Sequence, residues 1–87
     1  MRHRTTARFW ACFARLPEAV QRVARRNFEL LKENPARPSL HFKKVGKLWS
    51  VRAGPHHRAL ALEDGADFIW VWIGPHDEYE RIIKQQG

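Results

Sequence analysis

The chain has a single cysteine, Cys12, in 87 residues. A disulfide within the chain is therefore excluded, as is a zinc site built on cysteines, and a lone thiol fits a reducing compartment. Long apolar runs are also missing. The longest, Phe68 to Ile73, has six residues, where a membrane-spanning helix needs about 20. The basic start MRHRTTARFW has no apolar stretch behind it of the kind a secretory leader carries. A soluble, cytoplasmic protein with no membrane partner is expected. Internal repeats, linkers, Gly-rich phosphate loops, serine nucleophile elbows and kinase motifs are absent. Acidic residues are absent from the whole of 34–62.

What is there is a core and a charge pattern. Hydrophobic residues make up 44% of the chain, with four Trp and five Phe, enough for one core in one domain spanning 1–87. A chain this short buries only about 60–65% of its unfolded surface, so its stability is modest. The net charge is +7, and it is segregated. Residues 1–26 hold seven Arg against one Glu, residues 34–62 hold three Lys and three Arg, and residues 63–80 hold six acids with no Lys or Arg. Such a field attracts phosphates or an acidic protein.

Periodicity predicts an α+β fold. Thr6 to Arg15 reads as a short helix capped by Thr5 or Thr6, with Phe9, Trp10 and Phe13 on one face. Pro17 to Glu33 reads as a second helix, apolar at Val20, Val23, Ala24, Phe28 and Leu31, ended by Asn34-Pro35. Four strands follow, at His41–Val45, Leu48–Ala53, His57–Leu62 and Asp67–Ile73, joined by tight turns at Gly46-Lys47, Gly54-Pro55 and Glu63-Asp64-Gly65. Short turns imply an antiparallel meander. A final helix runs from Gly74-Pro75 to about Lys84, packing through Tyr79, Ile82 and Ile83. The expectation is a helical hairpin laid on a twisted antiparallel sheet of about four strands, with a short C-terminal helix.

RNA can be cut without a metal when a base deprotonates the 2′-hydroxyl, an acid protonates the leaving 5′-oxygen, and cations stabilise the phosphate. Arg52 alternates with Val51 and Ala53, so it points away from their apolar face, and Arg58 follows on the next strand. The two can share one face, where a guanidinium forks onto phosphate oxygens. Lys43 and Lys44 are neighbours on a strand and point to opposite faces, so only one serves a given ligand. His76, in the first turn of the last helix, is the candidate acid or base, with Tyr79 three residues on. His56 and His57 are neighbours that diverge and make a poor chelate, so no metal is expected. Trp49, Trp70 and Trp72 are read as core.

The ordered run LPEAVQRVARRNFELLKENPARPSLHFKKV, then WSVR, HHRAL and WVWIGPHDEYERII, resembles the RelE/ParE toxin superfamily of bacterial toxin–antitoxin systems, and HigB-like members most, over about residues 6–84. The resemblance implies a ribonuclease-like fold and one of two activities. RelE-like and HigB-like members cleave mRNA, usually in the ribosomal A site, and ParE-like members poison DNA gyrase. Both kinds are neutralised by a cognate antitoxin. By position, Lys43 and Lys44 match the basic strand residues of the nucleases, Arg52 and Arg58 their sheet arginines, and His76 and Tyr79 the residues at the last helix. The family's N-terminal strand is reduced here, with residues 1–5 supplying only a stub. The site expected from residues and resemblance is Arg52, Arg58, His76, Tyr79 and Lys44 for catalysis, with Lys43, Lys47 and Arg37 holding nucleic acid, no metal and no cofactor. The expected function is that of a type II toxin cutting ribosome-bound mRNA, with an antitoxin acidic in part. A gyrase inhibitor and a non-catalytic antitoxin-binding module are the alternatives.

Overall fold

Thr6 sets the start of the first helix. Its hydroxyl accepts the Phe9 N–H at 3.1 Å and donates to the Trp70 carbonyl at 3.0 Å, so one side chain both caps the helix and ties it to a distant strand. The computed structural model describes residues 2–86. Strand β1 (Arg2–Thr5) precedes α1 (Ala7–Ala14) and α2 (Glu18–Glu33). Then come β2 (Lys43–Val45), β3 (Leu48–Arg52), β4 (His57–Asp64), β5 (Asp67–Pro75) and α3 (His76–Gln86). A 3₁₀ turn at Pro38–Leu40 buries Leu40 to 1% exposure between α2 and β2. The apolar period in 38–42 is too short to announce it.

The sheet order is β1-β5-β4-β3-β2. Strands β2 to β5 form the antiparallel meander. The expected sheet of about four strands gains a fifth. The N-terminal segment is no stub: Arg2–Thr5 pairs in parallel with Asp67–Trp70. Its arginines meet the acids of the β4–β5 turn, Arg4 to Asp64 at 2.8 Å and Arg2 to Asp67 at 3.5 Å. His3 accepts the Trp70 indole N–H through Nδ1 at 3.0 Å and lies edge-on to the Phe28 ring.

Each face of the sheet is covered by helix. Val51, Ala53, Ala59, Phe68, Trp70 and Ile73 pack with Phe13 and Leu31 under the helical hairpin. Leu48, Leu60 and Trp72 pack with Tyr79, Ile82 and Ile83 under α3. This double cover explains why FIWVWI carries no polar alternation. The register shifts between Leu60 and Ala61, leaving Val71 without a partner on β4. The extra residue lets Val71 and Trp72 both serve the α3 side while Trp70 and Ile73 stay under the hairpin.

Candidate functional site

Alternation and a tight turn bring the two arginines together. Arg52 and Arg58 are direct cross-strand partners on β3 and β4, on the face away from Val51 and Ala53. The loop between the strands holds them. Gly54, buried and at φ +132, presents its carbonyl to Arg52 Nε at 3.3 Å and to an Arg58 terminal nitrogen at 3.4 Å. The same Arg58 nitrogen donates to the His57 carbonyl at 2.8 Å. A φ this positive suits glycine alone. From the other side, the Asn27 side chain on α2 donates to the Arg52 carbonyl at 3.0 Å.

Among the described residues, neither guanidinium forms an ion pair with a carboxylate. Burial and then the Arg52 charge lower the Arg58 pKa, opposed by Tyr79 and Glu80. Two half-buried cations side by side, bonded only to backbone carbonyls, are a poised receptor for an anion. Gly74 sits opposite Arg58 on β5. A methyl group there would come within 2.5 Å of the Trp72 ring, so the glycine leaves room for the indole that floors this part of the sheet.

Helix α3 supplies the titratable groups. His76 opens it, and its amide donates to the His56 carbonyl at 2.9 Å, stapling the helix start to the β3–β4 loop. Its Nε2 lies 3.3 Å from Glu80 Oε1, one turn on, and its ring lies 5.5 Å from that of Tyr79. Tyr79 is 5% exposed, held among Leu48, Leu60 and Trp72. A cleft of about 500 Å³ opens between the β3–β4 loop and the start of α3, lined by His56, His57, Arg58, His76 and Asp77 with Pro55 and Pro75. No group of three or more metal-binding side chains forms among the described residues, and no helix there is long and apolar enough to cross a membrane.

The sequence matches no protein-family model and no curated protein. Solved structures do match. A RelB-RelE antitoxin-toxin complex from Methanococcus jannaschii superposes at a TM-score of 0.71, with 11% identity, over 91% of this chain and 96% of that one. The archaeal RelE-RelB complex from Pyrococcus horikoshii gives 0.62, with 18% identity, over 86% and 93%. A YoeB/ParE toxin from Agrobacterium tumefaciens gives 0.58, with 16% identity, over 87% and 99%. The chain has the RelE/ParE-like toxin fold.

Within the RelE/ParE-like fold the remaining basic residues separate. Lys43 pairs with Ser50, on the face of the two arginines, and Lys44 pairs with Trp49, on the face of the hairpin. There Lys44 lies 3.9 Å from Glu63, which also accepts the Trp49 indole N–H at 3.0 Å. The two-residue turn Gly46-Lys47 already contains that answer, because it forces Val45 opposite Leu48 and hence Lys44 opposite Trp49. Lys47 sits in that turn, at the far end of β3 from Arg52 and about 16 Å along the strand. Arg37 follows α2 and lies 4.0 Å from Glu33. The fold thus brings Arg52, Arg58, His76 and Tyr79 to one end of the sheet with Lys43 on the same face, and leaves Lys44, Lys47 and Arg37 elsewhere. It adds His56 and His57, whose divergence on the strand holds them off any chelate but not out of a shared cleft.

Proposed function

We propose that this chain is the toxin of a type II toxin–antitoxin pair and acts as a metal-independent endoribonuclease on ribosome-bound mRNA. The observation that carries the reading is the Arg52–Arg58 pair, held by the Gly54 carbonyl and bonded to no carboxylate among the described residues. Two forks on adjacent strands would grip the scissile phosphate and neutralise charge as it moves onto the phosphate oxygens. His76, whose Nε2 lies 3.3 Å from Glu80 Oε1, serves as the proton-transfer residue. Either His76 takes the proton of the 2′-hydroxyl and water protonates the leaving 5′-oxygen, or His76 gives its proton to the 5′-oxygen and water takes that of the 2′-hydroxyl. The products are a 2′,3′-cyclic phosphate and a 5′-hydroxyl. Tyr79, its ring buried among Leu48, Leu60 and Trp72 and 5.5 Å from that of His76, acts as a positioning residue, and Lys43 adds charge along the same face.

An antitoxin partner follows from the same reading. α2 turns Arg22, Arg25 and Arg26 outward, and beside it an apolar groove of about 300 Å³ opens between hairpin and sheet, lined by Phe9, Phe13, Phe28 and Trp70 among others. A segment with apolar anchors and acidic flanks suits that surface. The deciding experiment is expression without a partner, with cellular mRNA 5′ ends mapped. Growth arrest with new 5′-hydroxyl ends is expected. Arrest with translation intact and a DNA-damage response would identify gyrase as the target instead.

A further inference from the structure

The cleft beside the arginine pair holds two imidazoles, His56 and His57, that the proposed chemistry leaves unused. Its walls are joined by the His76 amide bonded to the His56 carbonyl at 2.9 Å and by Arg58 bonded back to the loop at Gly54 and His57. Its volume of about 500 Å³ falls in the ~300–1,000 Å³ range of small-ligand sites. Arg58 lines it and is also the cross-strand partner of Arg52, so the cleft opens directly from the pair. His56 is exposed and His57 half-buried, and neither imidazole forms an ion pair or side-chain hydrogen bond among the described residues. Asp77 is the one acid lining it, and Glu80 is engaged by His76. A cavity with two free imidazoles, a guanidinium and one carboxylate suits an anion, and suits it better as the imidazoles take up protons.

We propose that this cleft seats the phosphodiester adjacent to the scissile one, so that the protein grips two successive phosphates of single-stranded RNA, one at Arg52–Arg58 and the next at His56–His57. The inference rests on the nuclease reading and adds a second subsite to it. Burial, then the neighbouring His56, lower the His57 pKa from 6.5. The free protein therefore holds His57 neutral near pH 7, and a phosphate placed against it reverses that balance. Binding then carries proton uptake. Affinity rises as pH falls, by up to about tenfold per pH unit for each proton taken up. The other groups facing the cleft are Arg58 from β4 and His76 and Asp77 from α3, with Arg52 and Glu80 behind them. Of these only His76 is another imidazole, so it must be separated by mutation.

The test uses a short 2′-O-methyl oligoribonucleotide, which binds but cannot be cleaved, titrated onto the full chain by fluorescence anisotropy between about pH 8 and about pH 6. The parent protein is expected to bind more tightly as pH falls. H56Q/H57Q is expected to flatten that dependence and to reduce the salt slope by about 0.7, the share of one phosphate contact on a single strand. H76Q, which also alters the cleft lining, is expected to lose less of the pH dependence and of the salt slope than H56Q/H57Q. H56Q alone, at an exposed position, guards against a folding defect in the double variant and should lose part of the effect. A pH dependence that survives H56Q/H57Q and vanishes in H76Q overturns the subsite, as does a parent whose binding is flat with pH; cleavage of natural RNA by that parent would leave the nuclease reading standing. A parent that neither binds nor cuts RNA removes both.

Discussion

The two ends of β4 treat arginine in opposite ways. Near its last residue, Asp64, Arg2 and Arg4 of β1 meet the exposed Asp64 and the half-buried Asp67 in ion pairs. At its beginning, Arg58 faces Arg52 across the ladder, and the pair finds only backbone carbonyls. The side chains are the same; what differs is whether the fold sends an acid to meet them. The acid-rich stretch 63–80 supplies partners to the first end and, apart from Glu80 and Asp77 on α3, leaves the second alone. Neutralised arginines fasten a strand, and unneutralised ones leave charge that an anion could meet. The +7 charge of the chain is thus less informative than the two half-buried arginines that share one ladder position with no acid paired to either among the described residues.

The largest effect should come from removing a cation at the open end. Arg58→Ala and Arg52→Ala are each expected to cut RNA cleavage by about 10²–10³, roughly 3–4 kcal/mol of transition-state stabilisation. Thermal melts of both variants should stay close to the parent's, and Arg4→Ala should leave cleavage unchanged. Equal losses for Arg4→Ala and Arg58→Ala would erase the contrast. A combined Arg52→Ala/His76→Ala protein that still arrests growth would remove the nuclease site altogether.

Next in size is the floor under Arg58. Gly74→Ala drives a methyl against the Trp72 ring and should cost about 1–3 kcal/mol by overpacking, read as a fall in denaturation midpoint. A melt unchanged by this substitution would mean that the indole lies elsewhere.

The closed end carries its own proton dependence. Burial first, then Lys32, lower the His3 pKa from 6.5, and His3 Nδ1 must be unprotonated to accept the Trp70 indole N–H. A histidine with a depressed folded pKa contributes stability that is complete above its unfolded value and is lost as pH falls below it. Melting temperature should therefore drop on acidification below about pH 6.5, less so in His3→Gln. A His3→Gln melt that follows the parent's across this window would disprove the coupling. The smallest effect is expected from Asp64→Asn at the exposed pair with Arg4, about 0–1 kcal/mol and fading with salt, measured by denaturant titration at two ionic strengths.

How much of this was legible in the sequence depended on the range of the forces involved. α1, α2 and the four strands of the meander announce themselves through local period and turn residues, and Pro17 and Asn34-Pro35 mark helix ends without help from elsewhere. β1 does not. The tetrapeptide Arg2–Thr5 has no apolar alternation, and what makes it a strand is Asp67, Trp70 and Phe28, far along the chain. Juxtaposition of Arg52 and Arg58 follows from alternation across a tight turn, so it could be read in advance. The sorting of Lys43 from Lys44 needed one further step through the Gly46-Lys47 turn. The burial of Tyr79 required knowing that α3 lies on Leu48, Leu60 and Trp72, contacts between residues that no sequence window contains. The divergence of His56 and His57 argues against a chelate and is silent on a shared cleft, which exists only once α3 lies against the β3–β4 loop.

Pairing of the first strand with the last has a consequence for the order in which the molecule is made. β1 is made before β5 and has no partner until β5 follows, and the Thr6 cap of α1 is tied to the same strand through the Trp70 carbonyl. Contacts this distant along the chain form late, because the intervening loop must be closed before they stabilise anything. The strand that completes the sheet also runs into Gly74, Pro75 and His76, so closing the fold and assembling the candidate site are one event. A nascent or truncated chain that stops short of β5 holds its arginines without the frame that aims them, and toxicity of the kind proposed would require β5 to be in place.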